Sequence, residues 1–317
     1  MNTEAESNVV SASADEGRKL PPVGDPGLPL LASTVEDRVT LLVTGTERVA
    51  WLNGLVTCDL KKLAQGVGAY GLVVAKNGRI QADVAVVQGE DRLLLSVPRA
   101  REEKLLAMFD TYLVMEDAEV TPSDELAWIR VVGPGAADLA GTLPHVAALD
   151  WIGHGGAALV VPRADVGTAM AGLEAIGARP IDETTWALWC ARLGVPRFGY
   201  DFDESTYPQE ASLEKRAVSF TKGCYLGQEV VHTLEVRGRA AKKLLPIVID
   251  AGTEDDAARL CGAELTADGV AAGKITSLVF DPQAGSLVGL VLAKVAAVAA
   301  AKELSAGGFA ARLRQGT

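Results

Sequence analysis

The sequence predicts an α+β protein of several domains, the last of which is a small β-barrel or sandwich. The chain has 317 residues, 49% of them hydrophobic, so it can bury a large core and has the length of two or three domains. Strand-like runs interleave with helical patterns up to about residue 178. From Leu244 onward, short apolar runs are broken by glycines such as Gly273 and Gly289, which is typical of small β-domains.

The first elements are predicted from local patterns. Residues 40–44 are β-branched and aliphatic and end at Gly45, which indicates a strand. Residues 46–55 favour a short helix with Thr46 as its N-cap. Residues 70–75 and 80–87 form two more strand-like runs, and Asn77-Gly78 between them predicts a hairpin turn, because both residues tolerate positive φ.

The same alternation continues through the middle of the chain. Predicted strands cover residues 93–97, 128–133 and 158–161, and predicted helices cover 98–109, 136–143 and 166–176. Pro98 takes the first position of the first of these helices, which is a favoured place for proline.

The last third of the chain contains one predicted loop between helices and strands. A helix is predicted over 184–193 and ends before Pro196. Residues 196–212 are rich in Pro, Gly, Tyr and Asp and are interpreted as a functional loop. The alanine-rich run 296–301 predicts one further helix.

Charge and composition exclude several functions. The net charge of −11 opposes non-specific binding to nucleic acid or to anionic membranes. No apolar run reaches the roughly 20 residues that span a bilayer. Residues 1–27 are polar and acidic without a basic and apolar signal pattern, so we expect a disordered tail and a cytoplasmic protein. The four cysteines form no CxxC pair, which favours reduced thiols.

Cys224 is the most informative candidate for chemistry. It lies between Gly223 and Gly227, with Lys222 two positions before it. A nearby ammonium and a helix starting near Leu226 would both favour the reactive thiolate, and Gly223 would let the backbone turn and expose the sulfur. The opposing interpretation is a small buried thiol, which is common for free cysteine.

The histidines support neither a cysteine–histidine dyad nor a metal site. His232 lies eight residues after Cys224, and His145 and His154 belong to another region of the sequence. Three scattered histidines do not form a metal-ligand pattern.

Two further features point to an anionic or planar ligand. Lys222, Arg237, Arg239, Lys242 and Lys243 outnumber the acidic residues between positions 222 and 243. This cluster is either a site for a carboxylate or phosphate, or an ordinary solvated face. Glu210, in the run Tyr207-Pro208-Gln209-Glu210, could accept two parallel hydrogen bonds from the amino group and ring N–H of a pterin, or it could be a surface residue without a role.

One segment carries a family resemblance. The run Lys222-Gly223-Cys224-Tyr225-Leu226-Gly227-Gln228-Glu229 resembles the K-G-C-Y-x-G-Q-E signature of the YgfZ family, folate-binding proteins related to the aminomethyltransferase (T-protein) of the glycine cleavage system. Shorter matches support it: Thr44-Gly45 to Asp59 resembles the family's opening segment, and Lys76-Asn77-Gly78-Arg79 resembles its K-G-R turn. Further resemblances are Arg237-Gly238 with Lys242-Lys243-Leu244, and Gly273 to Ser277.

The resemblance implies a fold, a ligand and partners. The fold is the three-domain aminomethyltransferase-like folate-binding fold, with tetrahydrofolate or a folate derivative near its centre. The partners are iron–sulfur enzymes or cluster assembly proteins, including enzymes that modify tRNA. By position, Cys224 and Lys222 are the implied reactive residues, and the implied folate contacts are Glu210, Trp186, Gln228, Glu229 and Arg237.

The resemblance also implies a division of the chain into domains. We expect a folate-binding domain from residues 28–78 and 179–240, a ferredoxin-like α+β domain over 79–178, and a C-terminal β-barrel over 241–317.

Two departures from the family pattern bear on activity. The T-protein carries an acidic pair in a G-G-x-x-D-D segment, and here Ala82 stands at the first acidic position, before Asp83. That argues against aminomethyl transfer, which needs an acid–base group at this place. The R-x-E pattern before the Gly-x-Pro turn is replaced by Cys190, Ala191 and Arg192.

Three hypotheses follow. The first is a tetrahydrofolate-binding accessory protein that assembles, maintains or repairs iron–sulfur enzymes through the Cys224 thiol. The second is a folate-dependent aminomethyltransferase or demethylase, which the alanine at position 82 opposes. The third is a non-catalytic binding module in which the fold persists without folate.

Overall fold

The structure is a computed structural model that describes residues 29–314 apart from 239 and 251. The tail predicted over 1–27 and the candidate residue Arg239 lie outside the described residues. The described helices and strands mix throughout the chain, and the last strands close into a barrel, so the α+β prediction is confirmed.

Sixteen strands are present in the described part of the chain. They are β1 Leu31–Thr34, β2 Arg38–Thr44, β3 Gly68–Val74, β4 Ile80–Gln88, β5 Leu93–Pro98, β6 Glu119–Ser123, β7 Leu126–Val132, β8 Val146–Ala148, β9 Gly156–Pro162, β10 Arg179–Pro180, β11 Lys242–Ile249, β12 Glu264–Ala267, β13 Val270–Asp281, β14 Ser286–Lys294, β15 Leu304–Ala306 and β16 Phe309–Leu313.

Eight α-helices accompany these strands in the described residues. They are α1 Arg48–Asn53, α2 Glu102–Thr111, α3 Val166–Ala175, α4 Glu183–Leu193, α5 Glu214–Ala217, α6 Gln228–Val236, α7 Glu254–Leu260 and α8 Val295–Ala300. Short 3-10 helices cover Arg99–Arg101, Ala136–Gly141 and Arg163–Asp165.

The strands form two five-stranded sheets and a closed six-stranded barrel. One sheet has the order β10-β1-β7-β9-β8, and the other has the order β3-β4-β5-β2-β6. The barrel runs β11-β14-β13-β12-β15-β16 and closes by pairing β16 with β11. The barrel therefore forms where the glycine-broken apolar runs predicted a small β-domain.

The β3–β4 hairpin confirms the turn predicted at Asn77-Gly78. Gly78 has φ +76°, in the left-handed region that favours glycine, and the Ala75 N–H donates to the Arg79 carbonyl across the turn. This hairpin joins both sides of position 78 in one sheet, so the strand pairing does not follow the domain boundary predicted there. The division into domains stays a prediction.

Two predicted helix starts differ from the structure. Helix α1 follows Glu47 without a side-chain cap, and the Thr46 hydroxyl donates to Asp117 in the loop before β6. Pro98 ends β5, and α2 begins four residues later after a 3-10 turn. In both places local helix signals lost to contacts between distant segments.

A tryptophan-rich core lies between the two sheets and helix α4. It contains Ala85 and Val87 from β4, Trp128 from β7, and Trp186 and Trp189 from α4. The Trp128 indole N–H donates to the Thr40 hydroxyl on the other sheet, at 3.0 Å. Helix α4 is thereby packed against both sheets, and one of its faces is directed at the space between them.

Helix α4 is also fixed to the barrel. The Arg192 guanidinium makes two hydrogen bonds of 2.7 and 2.6 Å to the Asp281 carboxylate at the end of β13. Both side chains are more than nine-tenths buried. This ion pair shows that Arg192, where the family pattern differs, connects α4 to the barrel.

The loop predicted over 196–212 is bound to the barrel through Asp201. The hydroxyls of Thr276 and Ser277 donate to Asp201 Oδ1 at 2.7 and 2.6 Å, and the Arg197 N–H donates to its other oxygen. Burial raises the pKa of Asp201, although these hydrogen bonds oppose that effect. The Gly273–Ser277 motif therefore has a structural role, which is to hold the loop in place.

Candidate functional site

A cleft opens between the two sheets and helix α4, and we call it the central cleft. Its cavity volume is about 70 Å³. Its walls carry three kinds of side chain, which are aromatic rings, guanidinium groups and carboxylates. The aromatic rings are Tyr70, Trp151, Trp186, Phe198 and Tyr200, and the guanidinium groups are Arg38, Arg130, Arg197 and Arg216. The carboxylates are Asp37, Asp83 and Glu183, and Cys190, Pro98, Val195 and Pro196 complete the lining.

Strands β2, β3 and β4 place one polar network in the central cleft. Arg38 Nη1 donates to Asp83 Oδ1 at 2.8 Å, and the Tyr70 hydroxyl donates to Asp83 Oδ2 at 2.9 Å. Arg38 also donates to the side chain and the carbonyl of Ser96. Burial, followed by the neighbouring Asp83 charge, raises the pKa of Tyr70. The network holds a carboxylate and a phenol in fixed positions at the cleft wall.

Asp83 places a carboxylate next to position 82, where the family pattern has an acid and this chain has alanine. Strand residues alternate between faces, so Ala82 is fully buried in the core beneath the sheet and Asp83 faces the cleft. The central cleft therefore contains a carboxylate one residue after the position at which the sequence comparison looked for it. The absence of an acid at Ala82 no longer argues against one-carbon chemistry.

Helix α4 contributes a second network around Trp186. The Arg130 guanidinium lies 3.9 Å from the Trp186 ring centroid and donates to Glu183 at 2.7 Å. Arg197 donates to the same carboxylate at 3.1 Å. Because Arg130 covers one face of the indole, a planar ligand cannot stack on that face.

The charge of the central cleft is positive although the protein is acidic. Four arginines face three carboxylates. Arg38 pairs with Asp83, and Arg130 and Arg197 share Glu183. Arg216 lies 4.9 Å over the Tyr70 ring and has no carboxylate partner among the described residues. The arrangement suits a flat molecule with both hydrogen-bonding groups and a negative charge.

The cysteine in the central cleft is not suited to nucleophilic chemistry. Cys190 is buried, and burial raises the pKa of its thiol to about 12 despite nearby arginines. The thiol therefore stays protonated at neutral pH.

Lys222 is buried away from the reactive position expected for it. Its ammonium donates to the backbone carbonyls of Asn53, Val56 and Cys58 at 2.7, 2.7 and 2.6 Å. Burial lowers the pKa of Lys222 to about 8, while the three carbonyls favour its charged form. The observed role of Lys222 is to fasten the signature segment to the segment after α1.

Cys224 is exposed, and the groups expected to activate its thiol lie elsewhere. The ammonium of Lys222 is bound by the three carbonyls, and helix α6 begins at Gln228, four residues after Cys224. The field of a helix terminus acts mainly within the first turn. The sulfur is exposed, as a reactive role requires, whereas the neighbours expected to activate it are not observed.

Gly227, rather than Gly223, needs to be glycine. Gly227 has φ +76°, and a Cβ on it would lie 2.3 Å from the Ala75 carbonyl oxygen in the hairpin turn. A Cβ on Gly223 would meet nothing within 4 Å. The signature segment therefore packs its second glycine tightly against the β3–β4 turn and leaves the first one in open space.

Comparisons with known proteins find related sequences. The family model described as the GCVT N-terminal domain matches residues 35–155. The tRNA-modifying protein YgfZ of Aliivibrio fischeri is 26% identical over 221 residues, which cover 65% of this chain and 67% of that protein. The YgfZ protein of Yersinia pseudotuberculosis is 25% identical over 239 residues, covering 71% and 72%. This chain is related to the YgfZ proteins. The resemblance found in the sequence is confirmed.

A solved structure shares the fold of this chain. The glycine cleavage system aminomethyltransferase T from Bartonella henselae matches with a TM-score of 0.75 at 17% identity, covering 96% of this chain and 88% of that one. The aminomethyltransferase-like fold predicted from the resemblance is therefore confirmed.

Most of the folate contacts predicted from the sequence do not line the central cleft. Of these five residues, Trp186 lines it. Glu210 turns back on its own loop, where its carboxylate accepts the Tyr207 N–H at 3.0 Å. Gln228 lies on α6, where its Oε1 accepts the Tyr225 N–H, and Glu229 and Arg237 are exposed on α6 and at its end. Sequence proximity to the signature did not bring these side chains to the cleft.

The basic residues predicted to cluster between positions 222 and 243 lie in different environments. Lys222 is buried among carbonyls, and Lys243 donates to Glu214 at 2.6 Å. Arg237 and Lys242 are exposed. These side chains do not form one anion site in the described part of the chain.

Most residues that build the central cleft were not among the site residues predicted from the sequence. Arg38, Tyr70, Asp83 and Arg130 come from four strands, and Glu183 comes from the first turn of α4. One signal was present, because Asp83 and Arg130 are the charged residues of two mainly apolar strands. A charge in such a run indicates a partner or a ligand site.

Neither a membrane-spanning helix nor a metal-binding cluster is found among the described residues. No helix within residues 29–314, with 239 and 251 left out, has the length and apolarity needed to cross a bilayer. The same residues contain no group of three or more His, Cys, Asp or Glu side chains placed to hold a metal ion.

Proposed function

We propose that this chain binds tetrahydrofolate in the central cleft and acts as an accessory protein for the assembly, maintenance or repair of iron–sulfur enzymes. The observation that carries the proposal is the cleft, in which the Trp186 indole, the Asp83 carboxylate and an excess of arginine face one space. A pterin is flat and carries N–H donors, and the rest of a folate carries carboxylates. The cleft offers a complementary group for each of these features.

The side chains of the cleft divide the work of binding. Asp83 is held by Arg38 and Tyr70 and would accept a hydrogen bond from the pterin. Trp186, which lines the cleft, would contact the pterin with the part of the indole that Arg130 does not cover. Tetrahydrofolate, when bound, would supply one-carbon chemistry. The residues described here bind and orient it.

Cys224 is the proposed reactive group toward partner proteins. It is one of two exposed free cysteines among the described residues, the other being Cys261 on the barrel side. A thiol on the surface can meet a macromolecule, whereas Cys58 and Cys190 are buried. The proposed partners are cytoplasmic iron–sulfur enzymes or cluster assembly proteins. Because the relatives are named tRNA-modifying proteins, enzymes that modify tRNA are the first clients to test.

Lys222 has an indirect part in this proposal. Its hydrogen bonds to the carbonyls of Asn53, Val56 and Cys58 fix the backbone that presents Cys224. It is therefore a positioning residue for the thiol.

Complementation tests the proposal with a matched pair of cysteines. In a strain that lacks the protein and has poor iron–sulfur enzyme activity, Cys224→Ser should fail to restore that activity. Cys261→Ser should restore it, because Cys261 is equally a free exposed thiol but lies outside the signature segment. Full restoration by Cys224→Ser would show that the function does not need the Cys224 thiol.

A second function is favoured by one observation. Asp83 places a carboxylate in the central cleft, so a folate-dependent aminomethyltransferase or demethylase is a candidate. Formation of 5,10-methylenetetrahydrofolate from an aminomethyl donor, and its loss in Asp83→Asn, would support transfer. Without such formation in the wild-type protein, this second function would be rejected.

A further inference from the structure

A second cleft adjoins the central cleft, and we call it the side cleft. Its cavity volume is about 310 Å³, and it is lined by the segments around Cys58, Gly68, Asp150 and Ala217. Tyr70 and Arg216 line both clefts, so the two spaces meet at this pair. A ligand in either cleft can therefore approach Arg216.

Arg216 is a guanidinium without an acceptor. None of its side-chain nitrogens has a hydrogen-bond partner among the described residues, and Nε and Nη2 are shielded from solvent. Its side chain is fixed nonetheless, because it lies 4.9 Å over the Tyr70 ring and its Cδ packs near Gly153. A shielded donor without an acceptor is unfavourable, so the site favours an incoming acceptor.

The carboxylates near Arg216 are already bound to other groups. Asp83 pairs with Arg38, and in the side cleft Asp59 pairs with Lys62 at 3.0 Å. Asp150 Oδ1 accepts the backbone N–H groups of Ile152, Gly153 and His154. Within the described residues, the positive charge of Arg216 is therefore not neutralised by either cleft.

We propose that Arg216 binds the carboxylate or phosphate of a ligand at the junction of the two clefts. A guanidinium recognises such a planar or tetrahedral anion through paired N–H donors. Two sources of the anion fit the chemistry, the glutamyl part of a bound folate or a separate small anion that enters the side cleft. The first source rests on the proposed function, and the second does not.

Two measurements test this site with matched variants. Tetrahydrofolate and its glutamyl diamide, in which both glutamyl carboxylates are replaced by neutral carboxamides, are titrated anaerobically into wild type, Arg216→Gln, Arg216→Lys and Lys215→Gln. Thermal unfolding of the same four proteins is followed with and without inorganic phosphate. Lys215 is the exposed neighbour on the same short helix, so Lys215→Gln removes one positive charge without touching either cleft.

The results separate the sources and the proposals. A preference of about tenfold for tetrahydrofolate, lost in Arg216→Gln, reduced in Arg216→Lys and kept in Lys215→Gln, assigns the anion to the folate. Equal affinities, with phosphate stabilising wild type and Lys215→Gln but not Arg216→Gln, assign a separate anion. That phosphate result with no folate binding would refute the proposed function and keep the site. If Arg216→Gln matches wild type in both measurements, the site is refuted.

Discussion

The ammonium nitrogen of Lys222 lies 2.6 Å from the carbonyl oxygen of Cys58. This contact joins two segments that are far apart in the chain, the signature segment and the segment that follows α1. A sequence motif that suggested a reactive lysine thus contains a lysine that holds the fold together. The signature keeps one exposed candidate for chemistry, the Cys224 thiol.

Replacing Lys222 should destabilise the protein. Lys222→Met leaves the buried carbonyls of Asn53, Val56 and Cys58 without their shared donor, so we expect the free energy of unfolding to fall by about 2–4 kcal/mol. Urea denaturation measures this. Lys62→Met is the control, because Lys62 is 72% exposed and its ion pair should contribute less than about 1 kcal/mol. Equal effects of the two substitutions would contradict the role given to Lys222.

The stability contributed by Lys222 should depend on pH. Burial lowers the pKa of Lys222 from 10.5 to about 8, so between these values the unfolded chain holds a proton that the folded chain has released. The free energy of unfolding therefore rises with pH across this window. Urea denaturation at several pH values should show wild type gaining stability relative to Lys222→Met. A constant difference from pH 8 to 10.5 would show that the three carbonyls keep Lys222 protonated.

The two glycines of the signature should respond differently to alanine. Gly227→Ala forces a Cβ against the Ala75 carbonyl at positive φ, and we expect a loss of about 2–4 kcal/mol in unfolding free energy. Gly223→Ala meets open space and should change it by less than about 1 kcal/mol. Thermal or urea denaturation of the pair checks this. The reverse order would mean that the turn packs differently from the structure.

Breaking the ion pair between α4 and the barrel should be costly. Arg192→Met leaves the Asp281 carboxylate buried without its partner, and we expect a loss of about 3–5 kcal/mol. Arg192→Met combined with Asp281→Leu should recover part of it. Arg312→Met is the control, since the pair of Arg312 and Asp250 is more than half exposed and should matter by less than about 1 kcal/mol. Similar losses in unfolding free energy for Arg192→Met and Arg312→Met would show that the Arg192–Asp281 pair does not link α4 to the barrel.

Local signals in the sequence predicted the local elements. The Asn77-Gly78 turn, helix α4 and the barrel strands each depend on residues close together in the chain, and the structure contains them. The fold class followed from these elements, and the signature segment indicated the resemblance to the YgfZ proteins. Such features are decided by neighbours within a few positions.

Pairing between distant strands decided the site, and the sequence did not reveal it. Arg38, Tyr70 and Asp83 meet because β2, β3 and β4 belong to one sheet. The step from Ala82 to Asp83 changes the face of the sheet, so an alignment shifted by one residue puts the carboxylate in the core.

Neighbours in sequence also separate in space. Lys222 and Cys224 are two positions apart, yet one side chain is buried and the other is exposed. Burial of the ammonium depends on three carbonyls from residues 53–58, which no local pattern around the signature indicates.

We propose that the central cleft, with Trp186 in its wall, is the folate site. The most direct test is anaerobic calorimetric titration of tetrahydrofolate into wild type, Trp186→Leu and Glu210→Ala, each first shown to be folded by circular dichroism. We predict binding to wild type, affinity reduced by about tenfold or more in Trp186→Leu through lost ring contact, and unchanged affinity in Glu210→Ala, because Glu210 caps its own loop. Absence of binding to wild type, or loss of binding in Glu210→Ala with Trp186→Leu unaffected, would contradict the account.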